Sequence, residues 1–245
     1  MLDSRFHGND KREYIQTFYE SINIDMREIR PIGKYLRACV QVPGSKSLTQ
    51  RALVAAFLAE GESRLENALL SEDTGYLMEA LRSLGATIRK EDRDLIVSGT
   101  AGEFRSQERQ IFLGNNGTAL RFLMSVVSLG KGTFVLTGDE RLCERPVKPL
   151  LQALGDLGVA ACGREGLGYP PVTVHAGGIA GGETAVSGAE SSQYVSSLLL
   201  CAPYAHRDVA IRQVGRIASR PYINMTLRVM EEFGVRGGSS PPAQT

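Results

Sequence analysis

The sequence contains no tryptophan, three histidines and four cysteines in 245 residues. The cysteines form no C-x-x-C pair and the histidines are scattered, so the spacing that a zinc site needs is missing. Isolated cysteines of this kind indicate free thiols in a reducing compartment. No apolar run approaches the roughly 18 residues of a membrane-spanning helix, and the first residues lack the apolar region of a signal peptide. We therefore expect a soluble, cytoplasmic protein that does not bind a membrane.

An excess of one charge sign is also missing. Lys and Arg number 28 against 27 Asp and Glu, which leaves a net charge of +1. A protein that binds nucleic acid by neutralising phosphates usually has a stronger basic excess, so nucleic acid is not an expected partner. Any anion site must therefore be local and built by the placement of a few side chains.

A repeat is present instead. The pattern of an apolar residue, two spacers, an apolar residue and a glycine occurs around Gly85, Gly158 and Gly234, at separations of 73 and 76 residues. Each copy predicts a helix that ends at a glycine and leads into a strand. A second signature, a glycine that precedes an apolar stretch of helical length, recurs at a similar distance. Its glycines are Gly44, Gly114 and Gly188. Two signatures with one period indicate three copies of one structural unit.

Each repeat is predicted to form strand, helix, strand, helix, strand, strand. The first helix of a repeat is apolar on nearly every side, as in residues 53–59 and 198–202, which predicts a buried helix. The second helix is amphipathic. A Rossmann domain has the reverse arrangement, with buried strands under amphipathic helices. The predicted fold class is therefore α/β (α+β), an inside-out α/β barrel of βαβαββ repeats with buried central helices and outer sheets. In the first repeat, strands are predicted at 38–42, 63–67, 86–90 and 94–98, and helices at 47–59 and 72–84.

Both ends of the chain differ from the repeat. Residues 1–25 are polar, match no repeat signature and are expected to form a disordered extension, and residues 236–245 have the Gly/Ser/Pro composition of a tail. The closing strands of the third repeat should follow Val235, so this repeat is expected to be truncated. The repeats themselves are expected to occupy residues 38–235.

The first helix of each repeat begins with small and polar residues, and a helix N-terminus attracts anions. In the first repeat, Lys46, Ser47 and Arg51 can meet on one phosphate or carboxylate, because positions four apart share a helix face. A P-loop is excluded, since Val40 and Ser45 stand where that motif needs glycine. For any one helix start alone, an ordinary N-cap is the simpler interpretation.

The other two helix starts add amide and hydroxyl groups. The second offers Asn115, Gly117, where a ligand can approach the backbone, and Thr118, with Arg121 one turn later. Arg145 precedes the following helix, although a solvated, charged turn is a rival interpretation there. The third repeat supplies Ser191, Ser192 and Gln193, and then Ser219 and Tyr222 at its second helix.

Taken in order, five motifs over residues 26–235 resemble the 5-enolpyruvylshikimate-3-phosphate (EPSP) synthase family. The resemblance implies two similar domains, each of three βαβαββ units with inner helices. Residues 26–37 would then be a strand segment that belongs with the second domain, which this sequence lacks. The motifs are Val42-Pro-Gly-Ser-Lys-Ser47 with Arg51, Leu113-Gly-Asn-Asn-Gly-Thr118 with Arg121, Glu144-Arg145-Pro146, Ser191-Ser-Gln193 and Ser219-Arg-Pro-Tyr-Ile223.

The resemblance also implies a reaction and its site. Phosphoenolpyruvate and shikimate 3-phosphate would give the enolpyruvyl ether and phosphate without a metal or cofactor, in a protein that is monomeric at full length. Lys46 would be catalytic and contact both substrates, and Gln193 would also reach both. The remaining contacts to shikimate 3-phosphate would come from Ser47, Arg51, Ser191, Ser192, Ser219 and Tyr222. The remaining contacts to phosphoenolpyruvate would come from Asn115, Gly117, Thr118 and Arg145.

Some positions depart from the family pattern. Asn116 and Phe122 stand where relatives more often carry a small residue and proline or leucine, and Asn224 replaces a common aspartate. With the second domain missing, the chain is expected to bind shikimate 3-phosphate weakly and not to turn over. Two other functions stay open: the related UDP-N-acetylglucosamine enolpyruvyl transferase, whose first loop typically has asparagine where Ser47 stands, and a non-catalytic anion-binding module.

Overall fold

The computed structural model describes residues 37, 39–104, 110–187, 191–215 and 219–236. The predicted extension at 1–25, nearly all of the strand segment at 26–37 and all but the first residue of the tail at 236–245 lie outside the described residues. Internal contacts divide the chain after Gln41, and every helix and strand below belongs to the part from Val42 onward.

The described residues form seven α-helices and nine β-strands. The helices are α1 (Lys46–Leu58), α2 (Glu72–Ser83), α3 (Gly117–Ser128), α4 (Glu140–Cys143), α5 (Lys148–Asp156), α6 (Ser192–Cys201) and α7 (Arg220–Glu232). The strands are β1 (Glu62–Leu65), β2 (Thr87–Glu91), β3 (Asp94–Ser98), β4 (Gln110–Phe112), β5 (Gly132–Thr137), β6 (Ala160–Cys162), β7 (Val172–Ala176), β8 (Gly182–Ser187) and β9 (Val209–Val214).

The second repeat has the full βαβαββ pattern. Its sheet has the order β4-β5-β7-β6, with β4 parallel to β5 and the other pairs antiparallel. The first repeat gives the antiparallel sheet β1-β3-β2, and the third gives the parallel pair β8-β9. The strand that follows the first helix is β1 in the first repeat, β5 in the second and β9 in the third. The three sheets are thus complete or partial copies of one strand order.

The three repeated glycines end their helices in the same way. Gly85, Gly158 and Gly234 have φ angles of 109°, 85° and 80°, a region that costs glycine little. The residue after each glycine donates its amide to the carbonyl five positions back, at 3.0, 2.9 and 2.9 Å, which is the Schellman arrangement. The acceptors are Leu81, Leu154 and Met230. The predicted glycine ends of the second helices are therefore confirmed.

The first helices lie in the interior, as their apolar composition predicted. Val54, Ala56 and Phe57 of α1 have no exposed surface, and α3 and α6 are equally buried along most of their length. α3 packs against α6 and α1. α7, which belongs to the third repeat, also packs against α6 and α1. Ser125 and Ser197 are fully buried, and their hydroxyls bond to each other across α3 and α6, at 2.6 Å.

Three details differ from the sequence-based predictions. Residues 39–42 are irregular and exposed, so the strand predicted at 38–42 is not found in its described part. α1 begins at Lys46 with Ser45 as its cap, because the Ser45 hydroxyl accepts the Leu48 amide. The described strands form three separate sheets, with no closed barrel among them. Within the described residues, no helix combines the length and apolar character required to cross a membrane.

Candidate functional site

The N-terminus of α3 is tied to the first repeat. The Asn116 side-chain oxygen caps α3 by accepting the Ala119 amide at 3.0 Å. Its side-chain nitrogen donates to the backbone carbonyl of Asp73 at 2.6 Å, and Asp73 lies in the first turn of α2. Asn116, which departs from the family pattern, therefore joins two helix N-termini from different repeats.

Lys46 reaches the same place from α1. Its ammonium Nζ lies 2.6 Å from Oδ2 of Asp73. The Lys46 side chain is 51% exposed and that of Asp73 is 29% exposed, so solvent reaches this ion pair. Lys46 and Asn116 thus contact the side chain and the backbone of one residue, which sets the lysine beside the start of α3. The side chain of Ser47, next in α1, is half-buried.

Arg145 covers the first residue of α3. Its Nη2 donates to the side-chain oxygen of Asn115 at 2.6 Å. A methyl group built on Gly117 would lie 2.7 Å from Nη1 of Arg145, which is closer than real contacts allow. Because glycine has no side chain, the Arg145 guanidinium can occupy the space beside this position. The result is a half-buried cation directly over a helix N-terminus, where partial positive charge already accumulates.

Gln193 links the third repeat to α3. Its side-chain nitrogen donates to the Thr118 hydroxyl at 3.1 Å, and its side-chain oxygen accepts Nη1 of Arg121 at 2.5 Å. The Arg121 guanidinium lies over the ring of Tyr194, 5.2 Å from its centroid. Nε of Arg121 is buried and has no hydrogen-bond partner among the described residues. Ser191 caps α6 through the Gln193 amide, and Ser192 is buried in its first turn.

Arg51 lies in the interior, with 1% of its surface exposed. Nε donates to the Thr226 hydroxyl at 2.7 Å, Nη1 to the Ser47 carbonyl at 2.8 Å and Nη2 to the Ser196 hydroxyl at 3.2 Å. Its guanidinium also lies 5.3 Å from the ring centroid of Phe122. Burial lowers the pKa of Arg51 to about 10, because the charged form loses its hydration.

Two further predicted residues lie at the start of α7. Ser219 occupies the N-cap position, without a side-chain hydrogen bond to the helix. Tyr222 is 43% exposed, and its ring centroid is 5.7 Å from the Arg51 guanidinium carbon. Tyr222 therefore covers the Arg51 network on the side where α7 begins.

The structure places most of the predicted residues in two groups, while Ser191 and Ser192 lie at the start of α6 and Ser219 at the start of α7. The first, around the N-terminus of α3, contains Lys46, Asn115, Gly117, Thr118, Arg145 and Gln193, and we call it the α3 cluster. The second, around Arg51, contains Ser47 and Tyr222. Asp73 was missed by the sequence analysis. Its position in the first turn of a helix was the available signal, since acidic residues favour that turn. Arg121 was noted as a nearby cation, but its contact with Gln193 was not foreseen.

The α3 cluster suits an anionic ligand. Lys46 and Arg145 supply two cations next to one helix N-terminus, and Gln193 and Asn115 supply amides. Arg121 contacts the cluster through Gln193. In the part of the chain that the structure describes, no three His, Cys, Asp or Glu side chains group into a site for a metal ion.

Comparison with known proteins identifies the family. The family model described as EPSP synthase (3-phosphoshikimate 1-carboxyvinyltransferase) matches residues 31–239. The chain belongs to the EPSP synthase family. A 3-phosphoshikimate 1-carboxyvinyltransferase from Sulfurovum sp. is 44% identical over 84% of this chain and 49% of its own length. Another from Shewanella piezotolerans is 41% identical over the same two shares.

A solved structure agrees with this family membership. EPSP synthase from Acinetobacter baumannii superposes with a TM-score of 0.67 at 25% identity, over 72% of this chain and 41% of that one. The chain spans about half the length of the curated EPSP synthases that it matches. The family resemblance seen in the five motifs is therefore confirmed. The roles that it implies for single residues stay predictions.

Proposed function

We propose that this chain carries part of an EPSP synthase active site, with contacts to both shikimate 3-phosphate and phosphoenolpyruvate. The observation that carries this function is the convergence of Lys46, Arg145 and Gln193, from three segments of the chain, on the N-terminus of α3. Each position matches a family motif, and the two cations carry the charge that a phosphorylated substrate requires. The protein acts in the cytoplasm, and the full-length family enzyme works as a monomer.

The proposed reaction transfers the enolpyruvyl group of phosphoenolpyruvate to a hydroxyl of shikimate 3-phosphate and releases phosphate. The hydroxyl oxygen adds to the phosphate-bearing carbon of phosphoenolpyruvate and gives up its proton, while the methylene carbon takes a proton and becomes a methyl group. Loss of phosphate from one carbon and of a proton from the methyl group then restores the double bond. Lys46 and Arg145 stabilise the phosphate and carboxylate charges through these steps, and Gln193 orients both substrates. Because the chain spans about half the length of the EPSP synthases that it matches, we expect it alone to bind a substrate without turning it over.

The remaining contacts to shikimate 3-phosphate come in this proposal from the starts of α1, α6 and α7. Ser47, Arg51, Ser191, Ser192, Ser219 and Tyr222 are the residues concerned. Arg51 is buried and donates to Thr226 and to the Ser47 carbonyl, so it also fixes the starts of α1 and α7. The helices and sheets of the three repeats would form one half of an inside-out barrel arrangement with approximate threefold symmetry.

Isothermal titration of the chain with shikimate 3-phosphate tests the binding. We expect measurable affinity, which Lys46→Ala lowers by about tenfold because a charge-assisted contact is worth roughly 1.5 kcal/mol. Lys131→Ala is the matched control, since Lys131 is exposed in the turn after α3 and should leave the affinity unchanged. A UDP-sugar that binds more tightly than shikimate 3-phosphate would contradict the assignment and favour the nucleotide-sugar relative.

A phosphate-release assay tests the catalytic part. The chain alone, with both substrates, should release phosphate no faster than the buffer. Clear turnover by the chain alone would overturn the prediction that it is catalytically incomplete, but it would leave the substrate assignment in place.

A further inference from the structure

Tyr194 is a buried tyrosine at the start of α6, next to the α3 cluster. It is the third residue of α6 and directly follows Gln193, where the family motif of this helix ends. Only 1% of its surface is exposed. Its ring and its hydroxyl contact two different segments of the chain, so each contact has a separate consequence.

The ring of Tyr194 faces α3. The Arg121 guanidinium carbon lies 5.2 Å from the ring centroid, within the range of a cation–π contact. Nη1 of the same guanidinium donates to the side-chain oxygen of Gln193 at 2.5 Å. Two successive residues of α6 therefore hold Arg121. Because the Gln193 amide also donates to Thr118, the ring acts on the orientation of this amide through Arg121.

The hydroxyl of Tyr194 faces the segment between α4 and α5. It donates to the backbone carbonyl of Pro146 at 2.9 Å. The ring of a proline fixes its own φ angle and restricts the residue before it, which here is Arg145. The position of the Pro146 carbonyl is therefore passed to the Arg145 backbone with little freedom. On its other side, Arg145 donates its amide to the Leu142 carbonyl at 3.0 Å.

The Arg145 side chain makes the contact that depends on this anchoring. Its Nη2 donates to the side-chain oxygen of Asn115 at 2.6 Å, beside Gly117. An arginine side chain has several rotatable bonds, so a fixed backbone helps to keep its charge in one place. Placement matters, since a displacement of about 1 Å at a group that positions a substrate can slow a reaction about 100-fold.

We infer that Tyr194 is a positioning residue, which holds Arg121 with its ring and Arg145 with its hydroxyl. This inference rests on the proposed function, in which Arg145 binds phosphoenolpyruvate and Gln193 contacts both substrates. Tyr194 itself touches neither substrate. Loss of the hydroxyl should therefore weaken mainly phosphoenolpyruvate binding, whereas loss of the ring should also weaken shikimate 3-phosphate binding.

Tyr194→Phe and Tyr204→Phe form a matched pair of variants. Tyr204 lies in the turn after α6, and its hydroxyl donates to the Leu58 carbonyl at the end of α1. α1 begins at Lys46 and has 13 residues, about 18 Å, so this second bond lies far from the α3 cluster. Each substitution removes one hydroxyl that donates to a backbone carbonyl. Both variants should therefore lose a similar amount of stability to urea.

Titration calorimetry separates positioning from stability. With shikimate 3-phosphate present at saturation, Tyr194→Phe should bind phosphoenolpyruvate about fivefold more weakly, because the charge-assisted contact of Arg145 is displaced. Tyr204→Phe should leave this affinity unchanged. Tyr194→Leu, which also removes the ring, should weaken shikimate 3-phosphate binding about threefold. The effect on shikimate 3-phosphate should be smaller in Tyr194→Phe, since phenylalanine keeps a ring against Arg121.

Side-chain NMR tests the positioning without any substrate. Arg121→Lys and Arg145→Lys assign the Nε–H signals of the two arginines. In the free protein, Tyr194→Phe should shift the Arg145 signal, and Tyr204→Phe should not. Tyr194→Leu should also shift the Arg121 signal, because the aromatic ring beside this guanidinium is lost. If circular dichroism shows that Tyr194→Leu unfolds the chain, the two phenylalanine variants decide.

Two results would overturn the inference: equal phosphoenolpyruvate affinities in Tyr194→Phe and Tyr204→Phe, or an Arg145 signal that does not move in Tyr194→Phe. A wild-type chain that binds neither substrate would instead contradict the proposed function, and the NMR comparison would then decide the role of Tyr194. Normal binding of shikimate 3-phosphate together with an unmoved Arg145 signal would overturn the inference alone.

Discussion

Arg51 and Arg121 lie in the first half of two inner helices, α1 and α3, yet their surroundings differ. Arg51 donates to two hydroxyls and a carbonyl and has 1% of its surface exposed. Arg121 donates to one side chain, Gln193, and keeps a buried Nε without a partner among the described residues. The same residue type therefore stabilises the helix packing in one repeat and holds a candidate ligand contact in another.

The difference follows from what faces each arginine. The hydroxyls of Thr226 in α7 and Ser196 in α6 face α1 and accept hydrogen bonds from Arg51. The buried Arg51 charge is therefore hydrogen-bonded within the protein. On the α3 side the facing residue is Gln193, whose side chain can exchange its partners for a ligand. Changes at Arg51 should consequently affect stability, and changes around Arg121 should affect binding.

The largest effect is expected at Arg51. Arg51→Met keeps the volume but removes three hydrogen bonds, so the free energy of unfolding should fall by about 2–3 kcal/mol. Thr226 and Ser196 still bond to each other at 2.8 Å, which limits the loss. Urea unfolding measures the change. Arg89→Met, which breaks the exposed ion pair with Glu62, should cost less than about 1 kcal/mol. Equal losses at both arginines would contradict the comparison.

Arg121 should show the opposite balance. Arg121→Met frees the Gln193 oxygen and leaves only the Thr118 contact, so we expect about tenfold weaker binding of shikimate 3-phosphate and an unfolding free energy within about 1 kcal/mol of the wild type. Titration calorimetry and urea unfolding give the two values. Arg121→Lys, which keeps a donor for Gln193, should restore part of the affinity. A purely structural role would show itself as a stability loss without a change in affinity.

The sequence predicted the repeat correctly, because glycine spacing and helix hydrophobicity are local signals. The helix ends at Gly85, Gly158 and Gly234 and the buried character of 53–59 needed no knowledge of the rest of the chain. The family motifs in turn selected Lys46, Arg145 and Gln193, and the structure brings these residues to one helix N-terminus.

The sequence could not predict which distant residues contact each site side chain. Arg51 was predicted to meet a ligand together with Lys46 and Ser47, since Ser47 and Arg51 share a helix face. Which face of α1 points inward depends on Thr226, 175 positions away along the chain. The Lys46 contact with Asp73 and the contact of Asn116 with the same residue are equally long-range. Periodicity gives the faces of a helix, whereas packing decides which residues meet them.

Gly117 should influence binding through Arg145. In Gly117→Ala the new methyl would meet Nη1 at 2.7 Å, so the flexible guanidinium must move away from Asn115. We expect about fivefold weaker binding of phosphoenolpyruvate in the presence of shikimate 3-phosphate, because a displaced charge-assisted hydrogen bond costs about 1 kcal/mol. Calorimetry measures the affinity, and a crystal structure shows the guanidinium. Gly155→Ala has open space at its own Cβ and serves as the control. If the Arg145 guanidinium keeps its position in the Gly117→Ala structure, a displaced hydrogen bond to Asn115 does not explain the weaker binding.

The smallest expected effect has the opposite sign. The Asp73 carboxylate holds Lys46 at 2.6 Å in a solvent-exposed pair and therefore competes with an anionic ligand for the ammonium group. Asp73→Asn should raise the affinity for shikimate 3-phosphate about twofold at low salt, and the gain should shrink as salt screens the exposed charges. Glu79→Gln is the control. It removes an exposed carboxylate from the same helix, α2, but this carboxylate pairs with Arg82 and not with Lys46. A lower affinity in Asp73→Asn alone would mean that the carboxylate orients Lys46 for the ligand, and the α3 cluster would then include Asp73 as a positioning residue.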